Sequence, residues 1–213
     1  MQINDFQAII FDFDGVVAES GKIKTQAFAD LYRDYGEDIV SKVVTFHVQN
    51  GGLSRYHKFR YYQQHYLAKP PLTQDEEKAL DIRFSELVVE AVIAADAVPG
   101  ANELIQQQAK RIPLFVASGT PEVELKVIVE KRGLSPYFKD VRGAPTQKQT
   151  LVSEIVSQYQ LIPANTLMIG DALIDYESAD TNGLAFLGRV FPGDENPFPA
   201  HVQVVSDLCH LVN

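Results

Sequence analysis

Asp12 and Asp14 stand two apart in the stretch FDFDGVVAES, directly after the apolar run AII. In an extended chain, residues two apart share a face. One carboxylate there can attack a substrate atom while its neighbour gives or takes a proton. Two further carboxylates, Asp171 and Asp175, occur a helical turn apart in GDALID, and the runs VASGT and PTQK add Ser118, Gly119 and Lys148. Aspartates brought together raise one another's pKa values, and a divalent cation removes that conflict. Oxygen ligation with no His or Cys nearby in sequence suits Mg²⁺, which keeps waters and shares its shell with a phosphate. Lys148, read in the first turn of a helix, opposes the helix dipole by roughly 0.3 kcal/mol or more, and an anion nearby would offset this. A carboxylate attacking a phosphate dianion sets anion against anion, so a metal and a lysine are what that transition state needs.

These residues need a frame that gathers them. Short apolar runs (QAIIFD, PLFVAS, TLMIG, LAFLGRV and VQVVSD) alternate with helical patterns. That alternation predicts an α/β fold, a Rossmann-like doubly wound parallel sheet covered on both faces. Ligands of such sheets bind beyond the carboxyl ends of the strands, where strand order reverses. Asp12, Asp14, Ser118, Gly119 and Asp171 all fall at predicted strand ends, and Lys148 follows the segment KDVRG. Thr120 and Pro121 read as the N-cap and first-turn proline of a helix closed by Gly133. Thr146 and Gln149 read as a capping box ahead of a stripe of Leu151, Val152, Ile155, Val156 and Tyr159. A later helix runs from about Asp175 to NG at 182–183.

Residues 22–94 differ in character, with four helical patterns and no strand. Ala27, Phe28, Leu31, Tyr32 and Tyr35 mark the first, and Ile39, Val40, Val43 and Val44 the second. Leu53, Tyr56, Phe59, Tyr62 and Tyr66 mark the third. The fourth opens on the capping box TQDE at 73–76 and is predicted to bury Leu80, Phe84, Leu87, Val88 and Ala91. The predicted organisation is a core domain of residues 1–15 and 97–213, with a four-helix domain, 16–96, inserted after the first strand.

DFDGV, VASGT, PTQK and GDALID resemble, in order, the four motifs of the haloacid dehalogenase-like superfamily. The helical insertion resembles the cap of its phosphoglycolate phosphatase and β-phosphoglucomutase branch, and the likeness covers nearly the whole chain. The resemblance implies roles. Asp12 would be the nucleophile that forms an aspartyl-phosphate. Asp14 would protonate the leaving oxygen, then activate water, while its main-chain carbonyl ligates Mg²⁺. Ser118 and the Gly119 amide would hold phosphoryl oxygens, and Lys148 would shield the nucleophile. Asp171 would complete the metal shell, and Asp175 would orient Lys148 or a metal-bound water. An aspartate at position 14 favours phosphate esters, since relatives that cleave carbon–halogen or carbon–phosphorus bonds lack it. Glu19 before Ser20, where relatives often have Asp-Ser, and Gln149 after Lys148, where a proline is common, depart from the pattern. The expected activity is a Mg²⁺-dependent phosphatase of a small phosphorylated metabolite. The alternatives are a β-phosphoglucomutase-type phosphomutase and a non-catalytic phosphoacceptor or binding protein.

The remaining sequence narrows the field. Nineteen Lys and Arg against 28 Asp and Glu give a net charge of −9, a field that repels nucleic acid backbones. No apolar run reaches membrane-spanning length. A single cysteine, Cys209, and a start without a basic n-region point to a soluble cytoplasmic protein, a monomer or small homo-oligomer. GVVAESGKI has the wrong spacing for a phosphate-binding P-loop, with Ile23 where Ser or Thr is required. In NGGLSRYHKFRYY, Ser54 can cap a helix, and Arg55 and Lys58 share a helical face from which they could grip an anionic group at the substrate's far end. The tyrosines of that segment read as core, His47 as a core histidine, and FPGDENPFP, 191–199, as a surface loop.

Overall fold

The computed structural model describes residues 3–212. The five predicted runs form β1 Ala8–Phe11, β2 Leu114–Pro121, β4 Thr166–Gly170, β5 Ala185–Arg189 and β6 Val204–Val205, and the segment KDVRG supplies β3 Asp140–Ala144. They pair in parallel in the order β3-β2-β1-β4-β5-β6. Strand order reverses at β1, so the segments that follow β1, β2 and β4 meet at the crevice where such sheets bind ligands.

Period-2 alternation divides β1 between two cores. Ala8 and Ile10 pack with Leu151, Val152 and Ile155 on one face, whereas Ile9 and Phe11 join Leu104, Leu125 and Ile128 on the other. The first layer is formed by the helices Lys148–Gln158 and Leu173–Thr181, the second by Ala101–Gln108 and Glu122–Lys131. Each fully buried Ile, Leu or Phe contributes about 1.5–3 kcal/mol, which is why both faces are covered.

Between β1 and β2 the chain forms α1 Gly21–Leu31, α2 Glu37–Gln49, α3 Arg55–Tyr61 and α4 Gln74–Ala94; one π turn, Tyr62–Tyr66, prolongs α3. The helices that follow are α5 Ala101–Gln108, α6 Glu122–Lys131, α7 Lys148–Gln158 and α8 Leu173–Thr181. Thr73 and Glu76 form the predicted capping box of α4, and Ser54 caps α3 by accepting from the His57 amide. Phe28, Val43, Phe59, Tyr62, Phe84 and Val88 fill the space between these helices. The two crossing segments pair with each other, Val98 N donating to Val17 O and Glu19 N to Asp96 O. Arg132, at the end of α6, donates to the carbonyls of Val92, Ile93 and Ala95 and so closes the end of α4 from the sheet side.

Four local expectations change. Leu87 and Ala91 are exposed, because the inward row of α4 is Phe84, Val88 and Val92 at i, i+4 spacing. Tyr35 leaves the first helix for a 3₁₀ turn and is exposed. The capping box at Thr146 does not form, since α7 starts at Lys148 with Gln147 as its N-cap and no side-chain cap bond. β2 continues through Ser118, Gly119 and Thr120, with an irregular register between Ala117 and Pro121, and Pro121 itself is the N-cap of α6. Irregularities of this kind re-aim side chains next to active sites.

Candidate active site

Beyond β1, the chain turns at Gly15, whose φ of +77° suits glycine; a Cβ there would collide with the Asp171 carboxylate. That missing side chain lets Asp171, beyond β4, close on Asp12. Carboxylate oxygens of Asp12, Asp171 and Asp175 all lie within 4.8 Å of one another. Asp175 is fully buried in the first turn of α8 and accepts from the Ala172 amide at 3.0 Å.

Lys148 Nζ lies 2.5 Å from Asp175 Oδ1 and 3.0 Å from Asp12 Oδ1. The second contact is ionic without hydrogen-bond alignment, which leaves Asp12 Oδ1 without a hydrogen-bond partner. Burial pushes the Asp12 carboxyl up; Lys148 opposes this, and Asp175 and Asp14 reinforce it. Asp171 is raised well above the carboxylate range by burial and then by Asp12 and Asp175. Burial works to lower Lys148, yet Asp12 and Asp175 carry it above the ordinary lysine value. Three carboxylates against one ammonium leave an excess of negative charge when ionised. A divalent cation fits this oxygen-only set.

Asp14 faces a different set. Ser20 Oγ donates to Oδ1 at 2.6 Å, Thr120 Oγ1 donates to Oδ2 at 2.9 Å, and Lys24 Nζ donates to the same Oδ2 at 2.5 Å. Lys24 also donates to Thr120 Oγ1 at 2.6 Å. Burial alone would raise the Asp14 carboxyl, but Lys24, with the hydroxyls of Ser20 and Thr120, holds it down to about 2. Its side chain stands outside the acidic triad; the ligand role expected of Asp14 belongs to its main-chain carbonyl. Lys24 escaped the sequence reading, and from sequence Thr120 reads only as a helix N-cap, though a signal for both existed. Lys24 lies four after Ser20, the N-cap of α1, and Thr120 is two after Ser118 on a strand, so each shares a face with its partner.

Ser118 is buried, with its Oγ accepting from the Thr120 amide at 3.1 Å and lying 3.4 Å from Asp14 Oδ2. Gly119 is needed for close approach, because a Cβ would strike the carbonyl of Gly52 in the loop between α2 and α3. A cavity between the helices and the sheet edge is lined by Asp12, Asp14, Lys24, Lys58, Ser118 and Asp171, among others.

Arg55 and Lys58 also line it, in different states. Arg55 Nη1 donates to Glu124 Oε2 at 2.9 Å, Ser85 Oγ at 2.8 Å and Asp81 Oδ1 at 3.2 Å, and Nη2 pairs with Glu124 Oε1. Among the described residues, Lys58 Nζ has His47 Nδ1 as its one hydrogen-bond partner, at 2.9 Å, and lies 5.6 Å from the centre of the Phe28 ring. Burial, then Lys24, lowers Lys58 to about 7; burial, then Lys58, lowers His47 to about 3. His47, expected only as core, therefore stands on the cavity wall. The loop 191–197 borders a separate cleft that reaches Asp171. Among the described residues, no helix is long and apolar enough to cross a membrane.

The sequence matches the haloacid dehalogenase-like hydrolase family over residues 6–183. It is 25% identical over 183 residues to a phosphoglycolate phosphatase of Synechococcus elongatus, covering 84% of this chain and 81% of that protein. It is 29% identical over 121 residues to a 5'-nucleotidase of Pseudomonas aeruginosa, covering 53% of this chain and 55% of the relative. In structure it is similar to a β-phosphoglucomutase of Clostridium difficile, with a TM-score of 0.78, 20% identity, and coverage of 97% and 93% of the two chains.

Proposed function

The chain belongs to the haloacid dehalogenase-like hydrolase family, and we propose from that premise that it is a Mg²⁺-dependent phosphatase of small phosphate monoesters. Its relatives named for phosphate-ester hydrolysis, a phosphoglycolate phosphatase and a 5'-nucleotidase, support the reaction class. The observation that carries the reading is the triad of Asp12, Asp171 and Asp175 beside Lys148, with Asp12 and Asp175 buried and Asp171 half-buried.

In this reading Asp12 attacks phosphorus in line with the ester oxygen, forming an acyl-phosphate as the P–O bond to the leaving group breaks. Ser118 Oγ and the Gly119 amide hold the phosphoryl oxygens. Asp14 gives its proton to the departing oxygen, then takes one from the water that hydrolyses the acyl-phosphate. Lys24, Ser20 and Thr120 keep Asp14 ionised before substrate arrives, and an incoming phosphate dianion favours its protonated form by raising its pKa. Lys148 keeps Asp12 an available anion and balances negative charge beside it. Asp12, Asp171 and the Asp14 carbonyl would hold Mg²⁺, with Asp175 orienting Lys148. When bound, the ion supplies neutralisation of the phosphoryl oxygens. The helices α1 to α4 act as a cap that excludes water and selects the leaving group.

The test is phosphate release from a panel of phosphate monoesters with Mg²⁺, with chelator, and with Asp12→Asn. The proposal expects turnover only for the wild-type protein with Mg²⁺. Full activity in Asp12→Asn or in chelator overturns it, as does an isomerised sugar phosphate appearing without free phosphate.

A further inference from the structure

Three lysine and arginine side chains, Lys24, Arg55 and Lys58, line the cavity, and two are already matched. Lys24 is paired with Asp14, and Arg55 with Glu124 and Asp81; Lys148, outside the lining, is held by Asp12 and Asp175. Among the described residues, Lys58 alone of the three has no carboxylate partner; its Nζ meets His47 Nδ1. The Arg55 pairing is built from both sides of the cavity: Arg55 comes from α3, Asp81 and Ser85 from α4, and Glu124 from α6 in the sheet domain. Ser85 Oγ donates in turn to Glu124 Oε2 at 2.6 Å, and the guanidinium lies 4.5 Å from the centre of the Phe84 ring. Arg55 and the Glu124 side chain are both more than nine-tenths buried. A guanidinium fork fits a phosphate as well as a carboxylate; Glu124 bridges both Nη groups whereas Asp81 reaches only Nη1, so Glu124 occupies the fork that a second phosphoryl would otherwise take.

We propose that Glu124 is a specificity-determining residue: by holding Arg55 it leaves Lys58 as the one unmatched cation. The cavity thereby favours phosphate monoesters whose far end carries one negative charge, a carboxylate, over bisphosphates. This inference rests on the phosphatase reading above. A far-end carboxylate would meet Lys58 with its charge balanced. A phosphate dianion there would keep an uncompensated charge in a buried site, which is strongly unfavourable.

Three skeleton-matched probes test it: the monophosphate of propane-1,3-diol, 3-phosphooxypropanoate and propane-1,3-diyl bisphosphate, with phosphate release measured in Mg²⁺. The wild-type protein is expected to have a higher kcat/KM for the carboxylate than for the bisphosphate. In Glu124→Gln the bisphosphate-to-carboxylate ratio should rise at least about tenfold, equivalent to about 1.4 kcal/mol, and in Glu124→Asp it should stay near wild type. A wild-type preference for the bisphosphate, or an unchanged ratio in Glu124→Gln, overturns the proposal. Should Glu124→Gln fail to fold, the double variant Arg55→Gln/Glu124→Gln removes both members of the pair. It should keep the ratio within about threefold of wild type, whereas a tenfold fall would mean that Arg55 already binds the second phosphoryl. Loss of all three activities in the wild-type protein defeats the phosphatase reading itself; phosphate release with the wrong ratios defeats only the role of Glu124.

Discussion

Replacing Lys58 with Met should make the protein more stable while weakening its hold on anionic substrates. Burial lowers the Lys58 ammonium from 10.5 to about 7. At 1.36 kcal/mol per tenfold change in proton affinity, keeping that group charged in the fold costs roughly 4–5 kcal/mol. Against this, the bond to His47 contributes about 1 kcal/mol, and the contact with Phe28 about 0.5–1 kcal/mol. Met keeps most of the apolar stem, so Lys58→Met should gain about 2–3 kcal/mol at or below pH 7. The sign with pH follows from proton counts. Below pH 7 both folded and unfolded chains carry the proton, and the penalty is complete. Between pH 7 and 10.5 the unfolded chain binds more protons, so wild-type stability rises by up to about 1.36 kcal/mol per pH unit relative to the variant. Urea unfolding of both proteins at pH 6.5, 7.5 and 8.5 reads this directly. A variant less stable than wild type at pH 6.5, or a gap that stays constant with pH, refutes the reasoning.

Burial and mutual repulsion make Asp12 and Asp171 hold protons that the unfolded chain releases above about pH 3.8, so metal-free stability should fall as pH rises above that value. Added Mg²⁺ should therefore raise Tm more at pH 8 than at pH 5.5; equal shifts in a thermal melt count against a metal in the triad. Gly15→Ala places a Cβ against Asp171 at φ +77°, which should cost about 1–2 kcal/mol in backbone strain alone and weaken Mg²⁺ binding measured by calorimetry. Unchanged affinity would show that the approach of Asp171 to the β1 loop does not matter. Arg132→Met removes one charged donor from the three carbonyls at the end of α4 and should lower stability by about 2–3 kcal/mol in urea. A loss below about 0.5 kcal/mol would show that this junction is solvated without consequence.

The sequence by itself determined the α/β alternation, the helical insertion and the placing of Asp12 and Asp171 after strands. Those features depend on periodicity and strand-end chemistry, which are local. It also indicated the starts of α3 and α4, because Ser54 and the Thr73–Glu76 box act within a turn. Local pattern misjudged Leu87 and Ala91, since which row of a long helix faces inward is set by what packs against it. Only the tertiary structure decided the fate of the charged groups. Lys24 meets Thr120 from 96 residues away, and Arg55 is held by Glu124 from 69 residues away. A charge in a buried site takes its strength, its proton and its availability from the partner beside it, and the fold alone selects that partner.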